Sequence, residues 1–494
     1  MIRKTTLGFA AIFLLSACAV GPDYEAPKHD VDASFKDSND KQYEQNEILI
    51  DWWRSFNDQK LNELIDDTVR GNKTVAQALA RVNEARAFRQ ESEFDLLPTI
   101  TSAGSYQKLH NATSTLPFDT TSGATSSPTI GYKTYQEIYQ VGADATWELD
   151  LFGRVRREVE ENRAAEDASM GDLQDALRVE IAEMATNYLE LRGAQATLAV
   201  AAKNAKSQSE TVRLTKAQAD TGQASELDTA RAEAQYHGTE ATIPPLEASI
   251  KTYIHRISVL TGRNPEELED ELLKGVPIPN YKGAISIGDP VAMLRSRPDV
   301  HAAERRLAAA TADIGVNEGN LFPKVTFNGT LTMQATTPQR FGDDGTGAYA
   351  FGPNITWPFL DMGHQIAKVH VSTAHQKEVL AQYEQSVLTA LEETENALAQ
   401  FSSERRRRDS LRAAAERSAK AASIAQERYK AGSQDFLTVL DAERTQLQAE
   451  SDLSVSDTQL RVDLVALYKA LGGGWQGVEI HPHSLKPAGE AAQK

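Results

Sequence analysis

The sequence has one cysteine, fewer basic than acidic residues and no long apolar run beyond its start, and each shortage excludes a class of protein. One cysteine among 494 residues excludes an intrachain disulfide and a zinc site made of cysteines. A net charge of −18 disfavours nucleic acid as a partner. After the first twenty residues no apolar run approaches the ~18 residues that a membrane-spanning helix needs. The acidic excess suits solvated helices or the wall of a water-filled channel that tolerates cations.

The single cysteine follows an export signal. Arg3 and Lys4 form a basic start, and the apolar stretch that follows is too short to span a bilayer, so residues 1–17 are predicted to be a cleaved signal peptide. The small-residue site that ends in Cys18 is similar to a bacterial lipobox, which predicts a diacylglycerol and an N-acyl chain on Cys18. The alternative is a plain secretory signal with an incidental cysteine. Residue 19 is Ala rather than Asp, which favours the outer membrane.

The chain contains the same pattern twice. Adding 225 to the residue number carries Val75 to Val300 and Pro98 to Pro323, and adding 210 carries Trp147 to Trp357 and Gly222 to Gly432. Other identities follow at the same two offsets in the same order. Such order over about 200 residues indicates an internal duplication. The fall in offset means a longer first copy, and its Ser/Thr/Gly-rich residues 111–132 predict an extra loop.

Each copy has the same predicted plan of helix, strand pair, very long helix and return helix. The first helices span 74–94 and 300–317, and a proline follows each. The long helices run between glycines, at 153–222 and 363–432, and would each reach about 100 Å. Their narrow apolar stripes favour coiled-coil packing against neighbours. Return helices of about 40 residues are then predicted to reach Gly262 and Gly472.

Alternating apolar and polar residues predict two strands per copy. Residues 139–149 alternate strictly, whereas 99–109 alternate weakly and Pro353 interrupts the last segment. About ten residues with an aromatic residue near each end are typical of an outer-membrane barrel strand, and a soluble sheet is the alternative. Four membrane strands cannot close a barrel, and unpaired backbone groups in hydrocarbon cost several kcal/mol each. A symmetric oligomer is therefore expected, with twelve strands in a trimer or eight in a dimer, and a conduit favours the larger number.

Several motifs carry a family resemblance that covers residues 18 to about 475. They are Cys18 with 21–24, the aromatics Trp52, Trp53 and Phe56, and the stretches 147–154, 295–300, 429–432, 436–442 and 471–475. The chain resembles the TolC-like outer membrane efflux proteins, in the lipoprotein branch that serves resistance-nodulation-division pumps. The resemblance implies an α+β membrane protein with a two-fold internal repeat. It implies a homotrimer in which four β-strands per protomer form a 12-stranded β-barrel, continued by a long periplasmic α-helical barrel. It also implies a periplasmic adaptor and an inner-membrane pump as partners, with no catalytic activity and no cofactor.

The resemblance also assigns roles to residues near the two glycine turns. Leu437 and Asp441 match the gate of the family, and their counterparts in the first copy are Leu227 and Arg231. We expect Arg231 or a nearby base to hold Asp441 in the closed state, although simple packing and a solvated charge are the alternative. The expected adaptor-docking tips are Gly222, Gln223, Ala224, Ser225, Gly432, Ser433, Gln434 and Asp435, which would otherwise be ordinary turns.

Other polar clusters give weaker signals. The run Arg405–Arg408 is predicted to be a solvated belt on a long helix rather than a ligand site. His364, His370 and His375 lack the spacing of a helical metal site and are predicted to lie at the surface. No phosphate loop, nucleophile elbow or zinc-protease motif is present.

The predicted organisation has five parts: a lipoprotein signal peptide (1–17), a lipid-anchored linker (18–60), two efflux repeats (61–275 and 276–475) and a flexible tail (476–494). The predicted function is the exit duct of a tripartite efflux pump. The rival interpretation is a lipid-anchored periplasmic coiled-coil adaptor or scaffold without a pore, against which the alternating strands argue.

Overall fold

The computed structural model describes residues 19–28, 31–36, 43–44, 46–110 and 135–476. The predicted signal peptide, Cys18, the predicted loop at 111–132 and all of the tail except Gln476 therefore lie outside the described residues. Contacts divide the chain into two units. The sheet unit comprises residues 1–25, 85–166 and 306–379, and the helical unit comprises residues 26–84, 167–305 and 380–494.

Six strands and ten α-helices are defined in the described residues. The strands are β1 (Tyr43–Glu44), β2 (Thr99–His110), β3 (Tyr135–Leu149), β4 (Ile285–Ser286), β5 (Lys324–Ala335) and β6 (Gly347–Thr356). The helices are α1 (Gln59–Gly71), α2 (Lys73–Phe94), α3 (Arg154–Asp220), α4 (Glu226–Glu240), α5 (Ile243–Leu260), α6 (Glu269–Leu272), α7 (Pro290–Ser296), α8 (Pro298–Gly319), α9 (Met362–Lys430) and α10 (Phe436–Ala470). Short 3₁₀ helices lie at Trp52–Phe56, Pro338–Arg340 and Phe359–Asp361. None of these helices combines the length and the apolar composition needed to cross a membrane.

The sheet unit contains a four-stranded antiparallel sheet with the order β2-β3-β5-β6. The register places Val141 opposite Met333 and Ala143 opposite Leu331, so the apolar residues of β3 and β5 share one face. That face is uncovered in a single chain: Leu331 is 61% exposed. On the other face, Thr330 donates a hydrogen bond to Asp144 at 2.9 Å. The sheet therefore has an apolar face and a polar face, as the alternation predicts.

The weakly alternating segment of the first copy forms a full strand. β2 pairs with β3 along its whole length, from Thr99 opposite Thr146 to His110 opposite Tyr135. Pro353 lies within β6, opposite Phe327. Within a single chain β6 is an edge strand, which is where sheets tolerate proline.

The two long helices match their predicted lengths. α3 has 67 residues and α9 has 69 residues. The stripe predicted on α3 is buried within the helical unit, and its members are Leu173, Leu177, Ile181, Met184, Tyr188 and Leu191. On α9, Tyr383 and Leu398 are also buried. The apolar stripes are thus the core of this unit, largely covered by the chain itself.

The return helix of the first copy corrects the prediction, because it is broken into α4 and α5. The second-copy return helix, α10, is continuous over 35 residues. The break precedes Pro244 and Pro245, which lack the N–H that a helix interior needs, and α5 accordingly begins with proline in its first turn.

Equivalent contacts recur in the two copies. In the sheet unit, the indole N–H of Trp147 donates to the carbonyl of Leu96 and that of Trp357 donates to the carbonyl of Leu321, each at 3.0 Å. In the helical unit, Asn72 donates to the carbonyl of Leu260 at 3.1 Å. At the equivalent positions, Arg297 donates to the carbonyl of Ala470 at 3.0 Å. The duplication read from residue types is therefore a duplication of geometry.

The N-terminal segment before α1 is packed rather than loose. Trp52, Trp53 and Phe56 are all buried. The Trp52 ring stacks on Tyr468 of α10, with 5.7 Å between centroids and 3° between planes. β1 pairs in parallel with β4, which precedes α7. This packing ties the segment before the first repeat to both ends of the second repeat within the helical unit.

Candidate functional site

Two tight turns join the helix pairs α3–α4 and α9–α10. Each turn contains a glycine with positive φ, +76° at Gly222 and +71° at Gly432, a conformation that other residues rarely adopt. The Gln223 amide donates to the Gln218 carbonyl at 2.8 Å, and the Ser433 amide donates to the Arg428 carbonyl at 3.0 Å. These are the bonds that satisfy the last carbonyls of a helix that ends in glycine. Both predicted tips are therefore sharp reversals with a defined backbone.

The residue that ends each turn caps the following helix. Ser225 and Asp228 form a reciprocal capping box at the start of α4. Asp435 accepts a hydrogen bond from the Thr438 amide at 2.9 Å and caps α10. Hydrogen bonds from the Thr438 side chain and amide hold the pKa of Asp435 below its usual range. The eight tip residues keep open surface: six are exposed, and Ala224 and Gln434 are half-buried.

An apolar cluster holds the helix ends together beside the turns. Tyr429 of α9 and Phe436 of α10 make a tilted ring contact at 5.6 Å. They pack with Val439, Ala232 of α4 and Ala425 of α9, and all five are buried. Because this cluster joins α4, α9 and α10, it links the second turn to the start of the first-copy return helix.

The hydroxyl group of Tyr429 lies within this apolar cluster. Its hydroxyl is buried and makes no hydrogen bond among the described residues. Burial, with a smaller contribution from the Asp228 carboxylate, raises the pKa of Tyr429. The hydroxyl is therefore neutral at physiological pH and adds no charge beside the turns.

Next to the cluster, one side-chain contact between two helices occurs at equivalent positions of both copies, but different residue types form it. In the first copy Lys216 and Glu233 form an ion pair at 2.6 Å, which lowers the pKa of the half-buried Glu233. In the second copy Gln426 donates to Glu443 at 2.7 Å, and the Glu443 side chain is buried. The same helix-to-helix contact is thus ionic and partly exposed in one copy, and buried with a neutral donor in the other.

The four predicted gate residues lie on the exposed sides of α4 and α10. Leu227 is 56% exposed and Leu437 is 55% exposed, each the second residue of its helix. Asp441 is exposed and forms an ion pair with Arg444 of its own helix at 3.4 Å. Among the described residues no ion pair joins Arg231 to Asp441. A single chain therefore places the gate residues at equivalent positions of the two copies without bringing them together.

A second arrangement fixes the chain just after Cys18. The Val20 amide donates to the Phe152 carbonyl at 3.0 Å. The Arg157 guanidinium donates to the Val20 and Gly21 carbonyls at 3.0 and 3.2 Å and pairs with Asp23 at 2.7 Å. We name these contacts the Arg157 clamp. Phe152 follows the end of β3 by three residues, so the clamp holds residues 20–23 beside the end of a strand.

The sequence prediction missed the Arg157 clamp and the cluster around Tyr429. The sequence did contain a signal for the clamp, because Arg154, Arg156 and Arg157 follow Gly153 directly. The sequence pattern does not indicate which of these arginines contacts a segment distant in the chain. Arg154 pairs with Glu148 at 3.0 Å and Arg156 with Asp150 at 3.1 Å.

The three predicted surface histidines are all exposed. Within the described ranges no group of acidic, histidine or cysteine side chains is arranged to hold a metal.

The described chain combines a four-stranded sheet with open edges and a long helical hairpin that occurs in two copies with exposed tips, and comparison with known proteins gives its family. The model of the outer membrane efflux protein family matches residues 64–263 and 290–473. The chain belongs to this family.

Relatives and solved structures agree with this assignment. The chain is 32% identical over 467 residues to nodulation protein T of Rhizobium leguminosarum bv. viciae, which covers 94% of this chain and 93% of that protein. It is 28% identical to outer membrane protein OprJ of Pseudomonas aeruginosa over 96% of this chain and 97% of that protein. The solved structure of the outer-membrane channel OprN has a TM-score of 0.85 and 38% identity over 93% of this chain and 100% of that chain. The open state of the Neisseria gonorrhoeae MtrE outer membrane channel has a TM-score of 0.81 and 27% identity over 93% of this chain and 99% of that chain.

These matches confirm the predicted fold class, a trimeric TolC-like channel fold to which each protomer contributes four strands. They also confirm that the chain is a channel component rather than an enzyme, that the fold has no cofactor, and that the protein is an efflux duct of the outer membrane with a periplasmic extension.

Replacing Asp435 with Ala tests the cap of the second tip. We expect faster hydrogen exchange of the Thr438 amide at neutral pH, because that amide loses its acceptor. In the unmodified protein the protection should be present above the ordinary aspartate pKa and should disappear only as the pH falls through the lowered pKa of Asp435. Hydrogen exchange followed by mass spectrometry measures both effects.

Ser433→Ala is the matched control, because Ser433 lies in the same turn but does not cap α10. Equal exchange in the Asp435→Ala variant and the unmodified protein would show that the aspartate does not stabilise the start of α10.

Proposed function

We propose that this protein is the exit duct of a tripartite efflux pump, closed at its periplasmic end by a ring of leucines and carboxylates. The supporting observation is the exposure of Leu227 and Leu437, two large apolar side chains at equivalent positions one turn from the tips. A solvent-exposed leucine gains by burial, and the symmetry of a trimer supplies further copies of both residues. A ring of apolar side chains can shut a pore by dewetting, and a ring of carboxylates selects by charge.

Asp441 supplies the charged ring in this proposal. It is four residues beyond Leu437, so the two side chains share a face of α10. Its partner within the chain, Arg444, is exposed, and exposed pairs contribute only about 0–1 kcal/mol. The carboxylate is therefore available to a base on a neighbouring subunit, and Arg231 is the candidate because it occupies the equivalent position in the first copy.

Asp441→Ala is expected to raise the open probability of the purified trimer in planar bilayers, because it removes the carboxylate that holds the closed state. Arg231→Ala should have the same effect, and the double variant should add little to either change, since both remove one pair.

Glu416→Ala is the control, because Glu416 is an exposed carboxylate on α9 away from the turn. If Asp441→Ala leaves the open probability unchanged, the gate proposal is wrong. If the unmodified protein conducts and the gate variants leave its open probability unchanged, the exit-duct proposal stands without this gate.

The two tips are proposed to dock a periplasmic adaptor, which in turn contacts an inner-membrane pump. Their backbone is fixed by glycine turns and caps, and a rigid surface loses little conformational entropy on binding. Neither tip glycine has a neighbouring atom within 4 Å of an added Cβ, so the turns present open surface.

A cysteine at Gln434 tests the docking surface. With a thiol-to-amine crosslinker in intact cells, Gln434→Cys is expected to give an adduct of this protein with a periplasmic adaptor, identified by mass spectrometry. Gln448→Cys is the matched control, because the same substitution falls on an exposed position further along α10. Equal adaptor adducts from the two variants, or adducts from Gln448→Cys alone, would argue against docking at the tips.

We further propose that Cys18 carries the lipid anchor. The Arg157 side chain is 5% exposed, and besides an ion pair with Glu160 of its own helix it binds three acceptors in the segment that follows Cys18. A buried arginine with three acceptors holds its partners firmly, since hydrogen bonds to charged groups contribute about 1.5–3 kcal/mol each. An acyl chain attached to the residue that precedes Ala19 would enter the bilayer beside the end of β3, without a flexible tether.

Cys18→Ser tests the anchor, because this substitution leaves the chain without any cysteine. Cells grown with radioactive palmitate are expected to label the unmodified protein and not the Cys18→Ser variant. Arg157→Gln should keep the label, because it disturbs the clamp and not the acylated residue. An unlabelled natural protein, or a labelled Cys18→Ser variant, would contradict the proposal.

A further inference from the structure

The polar face of the four-stranded sheet carries few charges. Its described strand residues are mostly threonine, serine, glutamine, asparagine and small residues, and three of them are charged: Asp144, Glu148 and Lys324. The opposite face exposes large apolar residues, among them Leu331 and Tyr349. Because an outer-membrane barrel turns its apolar face to lipid, the polar face lines the lumen. Ions and solutes that cross the barrel therefore meet these three charged side chains.

Two of the three charges lie at the end of the sheet. Glu148 is the last residue but one of β3, and both of its carboxylate oxygens accept hydrogen bonds from Arg154 at 3.0 Å. Lys324 is the first residue of β5. Asp144 lies opposite Thr330, which follows Lys324 by six residues and so by about 20 Å along the strand. Asp144 is thus the charge in the middle of the polar face.

The Asp144 carboxylate is exposed, and a neutral donor holds it. The Thr330 hydroxyl donates to Asp144 at 2.9 Å, which orients the carboxylate and leaves its charge in place. In the part of the chain that the structure describes, no ion pair joins Asp144 to a base. A carboxylate in water on the wall of a lumen attracts cations and repels anions.

The duplication places a neutral side chain at the equivalent position. Adding 210 carries Asp144 to Asn354, which is also exposed on the polar face. Asparagine has nearly the shape of aspartate but no charge, so the wall of the barrel does not require a carboxylate here. In a trimer, three carboxylates therefore alternate with three amides around the lumen.

The width of the lumen decides whether three carboxylates have an effect. Twelve strands about 4.8 Å apart and tilted by about 40° close into a barrel with a radius of roughly 12 Å. In about 10 mM salt the Debye length is about 30 Å, and Coulomb's law in water then gives roughly threefold enrichment of a monovalent cation on the axis. In about 1 M salt the Debye length is about 3 Å, and the enrichment is lost.

We propose that Asp144 gives the lumen of the membrane barrel a preference for cations. A ring of three Asp144 carboxylates enriches cationic solutes and depletes anionic ones at the level of Thr330. Because the ring acts through its electric field, the preference is strongest in dilute salt. This role requires the channel fold of the family and not the proposed gate on α4 and α10.

Reversal potentials of the purified trimer in planar bilayers test the role of Asp144. With about 100 mM KCl on one side and about 10 mM on the other, we expect the unmodified channel to prefer potassium to chloride. Asp144→Asn should lower the ratio of potassium to chloride permeability about threefold or more. Asn354→Asp doubles the number of carboxylates in the ring and should raise the ratio. Glu137→Gln is the matched control, because it removes a carboxylate from the same strand but from the apolar face.

A thiol probe gives a readout that needs no ion current. In a Cys18→Ser chain, Asn354→Cys supplies the single thiol. In about 10 mM salt we expect a positively charged methanethiosulfonate to label it faster than a negatively charged one. Adding Asp144→Asn should lower the ratio of the two rates about threefold or more, and about 1 M salt should have the same effect. Mass spectrometry of the trimer measures both rates, and their ratio cancels any change in the reactivity of the thiol itself.

Several outcomes would overturn the proposal. They are an unmodified channel that prefers chloride, a permeability ratio that Asp144→Asn leaves unchanged, and an equal fall of that ratio in Glu137→Gln. A labelling ratio that is the same with and without Asp144 would also overturn it. If Asp144→Asn does not assemble, Asn354→Asp decides, because it leaves Asp144 in place and an unchanged permeability ratio there contradicts the ring. None of these outcomes depends on Asp441, so failure of this proposal is distinguishable from failure of the gate.

Discussion

Backbone groups at a sheet edge must find partners, and this requirement governs the molecule. Within the described part of the chain, β2 and β6 each have one neighbouring strand, so the four-stranded sheet ends in two open edges. In water such edges are hydrated, but in hydrocarbon each unpaired group costs several kcal/mol. Leu331, Tyr349 and Phe351 are exposed on the apolar face of the same sheet, which suits contact with lipid rather than with water. A protein with this sheet must associate to close it, and the trimeric channel fold of its family does so.

The helical unit meets a different requirement. Its long helices bury their apolar stripes within the chain, so a protomer is already well packed there. Some large apolar residues nevertheless stay exposed, and Leu227 and Leu437 near the tips are among them. The buried cluster around Tyr429 and Phe436 fixes the helix ends, while the uncovered leucines are free to meet other subunits. The packed core and the residues of the proposed gate thus lie on different faces of the same helices.

Duplication repeats some contacts in both copies, and the copies have diverged at particular polar side chains. Contacts that set the backbone are kept, such as the indole bonds of Trp147 and Trp357 and the glycines of the two turns. Side chains near the tips and in the middle of the long helices have changed. Arg231 stands where the second copy has Asp441, and Gln195 stands where it has Arg405. Near the tips this asymmetry places a base in one copy and a carboxylate at the equivalent position of the other, which identical copies could not do.

The sequence by itself determined the duplication, the strands, the long helices and the glycine turns. These follow from local rules: the period of the apolar residues, the missing N–H of proline and the positive φ of Gly222 and Gly432. Pro244 and Pro245 also indicate the break between α4 and α5, although the prediction of one continuous return helix did not use them.

Only the tertiary structure decided which polar residues meet across the chain. Nothing in the pattern joins Arg157 to Val20 and Asp23, or leaves Arg405 and Arg408 half-buried while the two arginines between them are exposed. Such pairings depend on how distant segments pack and on which side chains lose water when they do. The sequence carries local preferences, whereas burial and long-range contact are properties of the folded chain.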